Sequence, residues 1–270
     1  MDKVKRTRRD AIAMMGAGVG AATAALGTQS AQAQTDAQRT FVLVHGSWHG
    51  GWCWRRVADL LERHGHKVYA PTLTGLGERA HLMSAQITLD THIADIVNVI
   101  KWESLENIVL VGHSYAGFVI SGVAEQSQPA ISSIVFLDAF LPQNGERVVD
   151  LAPPELRATS LAAAAKNEVG RPVPPAKAFH VNEKDQAWVD SKLTPQPTFV
   201  SLQPIALTGA REKIAKKTYI RATSYPNPRF DGYFTKLQAD SSWRTYGVPS
   251  GHDVMVDQPE RLATILLEVA

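Results

Sequence analysis

Asn107-Ile108-Val109-Leu110-Val111-Gly112-His113-Ser114-Tyr115-Ala116-Gly117 is the stretch that decides how this chain is read. Its first half, NIVLVG, is an almost unbroken apolar run. Such a run is the signature of a parallel strand covered by helices on both faces. The run stops at a serine between small residues, with Gly112 two before it, Ala116 two after it and Gly117 next. Small neighbours let the backbone turn sharply from strand to helix and leave the hydroxyl exposed. The usual pattern has glycine where Ala116 stands, and alanine is still small enough to keep the turn. A helix expected over 115–126 supplies free N–H groups and the positive end of its dipole. Ser114 is therefore the candidate nucleophile, and the Tyr115 N–H a candidate oxyanion donor. On six residues alone, a buried serine at an ordinary strand–turn–helix junction is the rival reading. The strand before and the helix after favour the nucleophile.

Strand-like and helix-like segments alternate on both sides of this turn. Strands are expected at Thr40–Val44, Lys67–Ala70, Ser133–Leu137, Thr218–Thr223 and Trp243–Val248. Helices are expected over Trp52–His64, Leu89–Trp102, Arg229–Ala239 and Asp257–Val269, where apolar residues recur at three and four. The alternation predicts an α/β fold, a mostly parallel sheet flanked by helices. Between Pro142 and Lys217 the rhythm breaks: prolines are frequent, and helical stretches such as Leu156–Asn167 lie between them. Residues 142–217 read as an insertion into a core formed by 34–141 and 218–270.

The chain has 270 residues, 44% of them hydrophobic and 20% charged, which excludes whole-chain disorder and allows one large domain. Its net charge of +2 comes from the amino terminus. Residues 1–33 hold Lys3, Lys5, Arg6, Arg8 and Arg9 against Asp2 and Asp10, leaving 23 basic and 24 acidic residues in the rest. A near-neutral remainder gives no reason to expect nucleic acid as a partner. The basic start, the small apolar run 11–27 and Ala31-Gln32-Ala33 have the order of a secretory signal. Thr7-Arg8-Arg9-Asp10 gives it a twin-arginine character. Cleavage after Ala33 and a periplasmic or secreted protein are expected, without a stable membrane anchor. Cys53 is the one cysteine, so no intramolecular disulfide can form.

Other chemistry-bearing residues gather around the same turn. Val44-His45-Gly46-Ser47-Trp48-His49-Gly50-Gly51-Trp52-Cys53-Trp54 follows the first strand. Such a loop can bring a backbone N–H, that of Ser47, beside the serine as a second oxyanion donor. His45, Trp52 and Trp54 are read as structural, whereas Trp48 and His49, with Phe140, are candidates for facing substrate. A serine needs a base. Of the nine histidines, His113 is expected to point to the other side of the sheet, and His64, His66 and His92 to lie solvated on helix ends or faces. His252, in Pro249-Ser250-Gly251-His252-Asp253 after the last strand, falls on the same sheet edge as Ser114. It is the expected base.

Together HGSWHGGWCW, GHSYAG, VFLDAFLP and GHDVMVDQPERLA resemble the α/β-hydrolase superfamily, in the branch of plant methylesterases, hydroxynitrile lyases and related bacterial esterases. The resemblance covers residues 40–270 and implies an α/β-hydrolase fold with 142–217 as a helical cap. The acid of this branch usually follows the strand matching Thr218–Thr223, yet here Ser224-Tyr225-Pro226-Asn227-Pro228 stands there without a carboxylate. Asp138, at the end of the preceding strand, is the expected acid, with Asp231 as the alternative. Asp253 is set aside as too close to His252 along the chain, and Asp257 is read as a cap of the last helix.

The resemblance implies a serine hydrolase that cleaves small to medium apolar carboxylic esters through an acyl-enzyme. No metal or organic cofactor is expected. A lactonase differs only in substrate. A hydroxynitrile lyase is disfavoured because Asp253, not lysine, follows His252, and a dehalogenase because the nucleophile is serine. From another class, a non-catalytic ligand-binding protein on this scaffold stays open to a turnover test. The sequence leaves the oligomeric state open.

Overall fold

A computed structural model describes residues 38–270; the signal expected over 1–33 lies outside them. In chain order, strand β1 (Thr40–Val44) leads through a short 3-10 turn into helix α1 (Arg55–Arg63), then β2 (Lys67–Tyr69), α2 (Leu89–Trp102), β3 (Ile108–His113), α3 (Ala116–Ser127) and β4 (Ile131–Leu137). The chain then leaves this rhythm for α4 (Val148–Leu151), α5 (Pro154–Ala165), the two-residue strand β5 (Gly170–Arg171), α6 (Glu183–Asp190) and β6 (Gln196–Pro197). It returns with β7 (Lys216–Ala222), α7 (Pro228–Gln238), β8 (Trp243–Val248), α8 (Val254–Asp257) and α9 (Pro259–Val269).

Six strands form one sheet in the order β2-β1-β3-β4-β7-β8. Every pairing in it is parallel. Residues β5 and β6 make a separate antiparallel pair, Arg171 opposite Gln196. The period of two sorts the side chains between two cores. Leu110, Ile134, Phe136 and Tyr219 pack with Ile96 of α2 and Phe118 and Val123 of α3. Val109, Val111, Val135 and Ile220 pack on the other face with Val57 and Leu61 of α1 and Leu262 and Leu266 of α9. The central strands are buried on both sides, as the run NIVLVG demanded.

Strand order reverses between β1 and β3, the switch point where ligands of open parallel sheets bind. There the carboxyl ends of β1 and β3 lie side by side, Val44 opposite Gly112. His113 pairs with Leu137, and Leu137 with Ile220. The residues that follow β3 and β4 are therefore neighbours.

Candidate active site

Ser114 follows β3 directly, with φ at 54. A non-glycine residue in this left-handed region is uncommon and marks functional turns. Its N–H donates to Leu137 O at 3.2 Å, and its carbonyl accepts from Gly117 N and Phe140 N, each at 3.1 Å. The turn is thus clamped to the end of β4. A Cβ on Gly112 would lie 2.8 Å from Ile120 and 2.9 Å from the Ala116 carbonyl, so glycine there lets α3 fold back on its own strand. A Cβ on Gly117 would lie 1.9 Å from the Phe140 carbonyl. The second required glycine therefore sits one residue beyond its usual place, and Ala116 fits without penalty in the core.

His252 Nε2 lies 2.8 Å from Ser114 Oγ, and His252 Nδ1 lies 2.6 Å from Asp138 Oδ2. The carboxylate can only accept, so Nδ1 carries a proton and Nε2 is free to accept from the serine hydroxyl. Asp138, fully buried, also takes Arg221 Nη1 at 2.7 Å and Ala222 N at 3.0 Å on Oδ1. Three donors compensate the burial of its charge. The His252 N–H donates to Phe179 O at 2.8 Å, and Tyr225 stacks on its ring at 4.5 Å. Asp231 sits on α7 with its side chain 59% exposed and accepts only from Arg221 Nε at 2.9 Å. It braces Arg221, and among the described residues no hydrogen bond or ion pair links it to His252.

The loop after β1 lies against this turn. A Cβ on Gly46 would come within 2.9 Å of both Ser114 Cβ and His113 Nδ1, so only glycine lets the loop approach so closely. His45 donates from Nδ1 to Gly46 O at 2.8 Å and accepts on Nε2 from Leu73 N at 3.0 Å. Burial lowers its pKa to about 3, keeping it neutral and structural as expected. Trp48, with φ at 65, donates its N–H to Gln196 Oε1 at 2.8 Å. The Ser47 and Tyr115 N–H groups have no protein acceptor among the described residues. Replacing Gly46 with alanine is expected to lower kcat about a hundredfold, since misplacing a catalytic group by about an ångström costs that much. Steady-state kinetics beside an unchanged circular-dichroism spectrum check this.

His49, a candidate for facing substrate, lines the cavity and is also held from both sides. Its Nδ1 faces Ser47 O at 2.7 Å and its Nε2 faces Asp253 Oδ2 at 2.9 Å. Both neighbours only accept, so the ring is doubly protonated and spends both N–H groups inside the protein. It lines the cavity and ties the loop after β1 to the His252 turn. Burial opposes the charge on His49, but Asp253 outweighs it and raises the pKa. Burial also opposes the charge on Asp253, and the His49 imidazolium holds it at about 2.

A raised His49 stabilises the fold below 6.5 and loses that contribution as pH climbs through its folded value. A depressed Asp253 stabilises above 3.8 and loses its share as pH falls towards 2. Both contributions are complete between 3.8 and 6.5. Asp253→Asn is expected to cost about 3–5 kcal/mol in that window, because it leaves a buried imidazolium unpaired. Urea unfolding across pH checks this. A difference independent of pH would rule out the ion pair.

Three other histidines correct the sequence reading. His113 does not point away from the site: its ring centroid lies 4.4 Å from that of His252, and its Nε2 donates to His252 O at 3.0 Å. Burial, reinforced by His252, pushes its pKa well down and keeps it neutral. His92 is buried rather than solvated, and bonds Tyr115 Oη and Thr74 O at 3.1 and 2.9 Å. His66 is buried as well, and its Nδ1 accepts from Arg39 N. In each case tertiary packing overrides position on an element. Asp257 ends α8 and accepts from Asn182, so it does not cap α9.

The cavity over Ser114 measures about 230 Å³. Trp48, Phe140 and Tyr225 line it from the core, and Leu156, Arg171 and Phe179 from the segment between β4 and β7. Sequence reading missed Arg221, Asp253 and Arg171. A signal existed for Arg221: an arginine inside the apolar strand TYIRA needs a buried carboxylate. No local pattern announced the other two, whose neighbours are distant in sequence.

Known proteins resemble this chain in sequence and fold. The alpha/beta hydrolase family profile matches residues 41–265. A carbendazim hydrolyzing esterase of Nocardioides sp. strain SG-4G is 42% identical over 233 residues, covering 83% of this chain and 96% of the relative. Salicylic acid-binding protein 2 of Nicotiana tabacum is 28% identical, covering 85% of this chain and 96% of its own. An extracellular alpha/beta-hydrolase from a Paenibacillus species, described as sharing structural and functional homology with the tobacco protein, superposes with a TM-score of 0.75. It is 25% identical and covers 86% of this chain and 99% of its own. With a family match across most of its length and a close relative aligned nearly end to end, the chain belongs to the alpha/beta hydrolase family, in its esterase branch.

Proposed function

We propose that this carboxylic ester hydrolase works through Ser114 as nucleophile, His252 as general base and acid, and Asp138 as the carboxylate that orients and stabilises the imidazolium. The observation that carries the reading is the continuous chain Ser114 Oγ, His252, Asp138, at 2.8 and 2.6 Å. His252 takes the hydroxyl proton as Ser114 attacks the ester carbonyl. The Ser47 and Tyr115 N–H groups receive the oxyanion, the developing charge that such donors stabilise most. His252 then protonates the leaving alcohol, and water, activated by the same base, releases the acid.

Residues 142–217 act as the cap in this reading. They close the pocket with Leu156, Phe179 and neighbouring side chains. The apolar lining, including Trp48 and Phe140, suits small to medium acyl or alcohol groups. The relative's hydrolysis of carbendazim supports a compact small-molecule ester-type substrate. Export fits the sequence order of residues 1–33 and the extracellular relative. Among the described residues, no helix is long and apolar enough to cross a membrane.

The test is a burst experiment on nitrophenyl esters from acetate to octanoate, with carbendazim and a butyrolactone in parallel. The expected result is one nitrophenolate per chain released before steady state, with the acyl mass mapped to Ser114. Turnover without a burst or a trapped acyl group, on every ester, would remove the acyl-enzyme. Wild-type protein that binds these compounds without turnover would make it a receptor.

A further inference from the structure

Among the described residues, three arginines are buried: Arg171, Arg211 and Arg221. Arg211 holds Glu212, and Arg221 holds Asp138 and Asp231. Arg171, only 4% exposed, has no carboxylate within ion-pair distance among the described residues. Its Nη1 donates to Ser160 Oγ at 3.1 Å, its guanidinium lies 5.4 Å from the centre of the Trp48 ring, and its Nε has no acceptor. Its partner across the β5–β6 pair, Gln196, spends Oε1 on the Trp48 N–H and leaves Nε2 without an acceptor as well. Burial lowers the Arg171 pKa to about 10, and the group stays a cation at neutral pH.

A guanidinium offers five donors in a fork that matches a carboxylate. Burying it beside one hydroxyl and one indole is costly unless something returns the lost solvation. Arg171, Ser160 and Trp48 all line the cavity that holds Ser114. A ligand that fills the cavity therefore meets two chemically different points, the Ser114–His252 pair and an unpaired cation on the β5 side. Ser160 and Ser201 border the same space, but their hydroxyls donate to Leu156 O and Thr198 O, which leaves the guanidinium as the donor there. An apolar ester would leave the guanidinium as it is. An ester with a second, negatively charged group would satisfy it.

We propose that Arg171 forms a carboxylate-binding subsite, and that the preferred substrate is an ester carrying a free carboxylate away from its scissile carbonyl. The inference rests on the Ser114 reading for the position of the ester, and on Arg171 alone for the charge. The carboxylate can sit on the acyl or on the alcohol part, and the two are separable by experiment.

Monomethyl succinate, glutarate and adipate place it on the acyl part, and acetate esters of hydroxyalkanoates on the alcohol part. Each is compared with a neutral ester of the same length. At the fitting length, kcat/KM for the charged ester is expected to exceed that of its neutral partner about tenfold to a hundredfold, chiefly through KM. Arg171→Met should reverse this preference, and Arg171→Lys should retain part of it. Separately, calorimetry on Ser114→Ala with the matching dicarboxylate should show binding that the added Arg171→Met change abolishes. Neutral esters preferred by wild type at every length, with no dicarboxylate binding, would overturn the subsite and leave the serine mechanism standing. Dicarboxylate binding with hydrolysis that survives Ser114→Ala would do the reverse.

Discussion

Ser114→Ala is expected to lower kcat on nitrophenyl esters by about a millionfold while the protein stays folded. In serine hydrolases, removing the nucleophile alone costs about as much as removing every member of the unit, since the proton relay has nothing to act on. What survives is the residual acceleration, about a thousandfold over water, supplied by oxyanion donors and binding. Those donors persist here, because the Ser47 and Tyr115 N–H groups belong to the backbone. The fold should tolerate the change. Alanine accepts the φ of 54 no worse than serine does, and the clamp on the turn runs through backbone bonds to Leu137, Gly117 and Phe140. Kinetics and thermal unfolding on one preparation decide the matter. Activity within tenfold of wild type at an unchanged Tm would show that Ser114 is not the nucleophile.

The site was legible where chemistry is written in consecutive residues. NIVLVGHSYAG combines a buried strand, a turn and a helix, so Ser114 could be placed before any contact was known. His252 followed because it comes after the last strand, and parallel strands deliver their carboxyl ends to one edge. The mostly parallel sheet and the helix spacing were equally readable, with limits up to three residues off, as where the helix expected from Trp52 begins at Arg55. Contacts between distant segments were not readable. His113 alternates away from Ser114 along the strand, yet the loop after β8, held to Phe179 and to His113 itself, brings His252 over it. Asp253 was set aside for lying next to the base, and its real partner, His49, is 204 residues away. Arg171 sits in a two-residue strand too short for any periodicity to reveal.

Asp138→Asn should separate the two carboxylates that sequence reading left in competition. In the replaced side chain, the amide oxygen can still accept from Arg221 and Ala222, as Oδ1 does now. The amide nitrogen then takes the place of Oδ2, 2.6 Å from His252 Nδ1, and presents a proton where one was accepted. The imidazole must move its own proton to Nε2, facing Ser114, and can no longer act as base. A wrong tautomer of this kind costs about ten-thousandfold in kcat with the geometry intact. Asp231→Asn should behave differently. That carboxylate is 59% exposed, and its loss leaves Arg221 still bound to Asp138. Exposed ion pairs contribute at most about 1 kcal/mol, so kcat should change by less than about tenfold. The ratio between the two variants measures which carboxylate serves the base, because both touch the same arginine and only one touches the histidine. If Asp231→Asn fell further than Asp138→Asn, Arg221 would have to be relaying the charge, and the short contact to Asp138 would be structural.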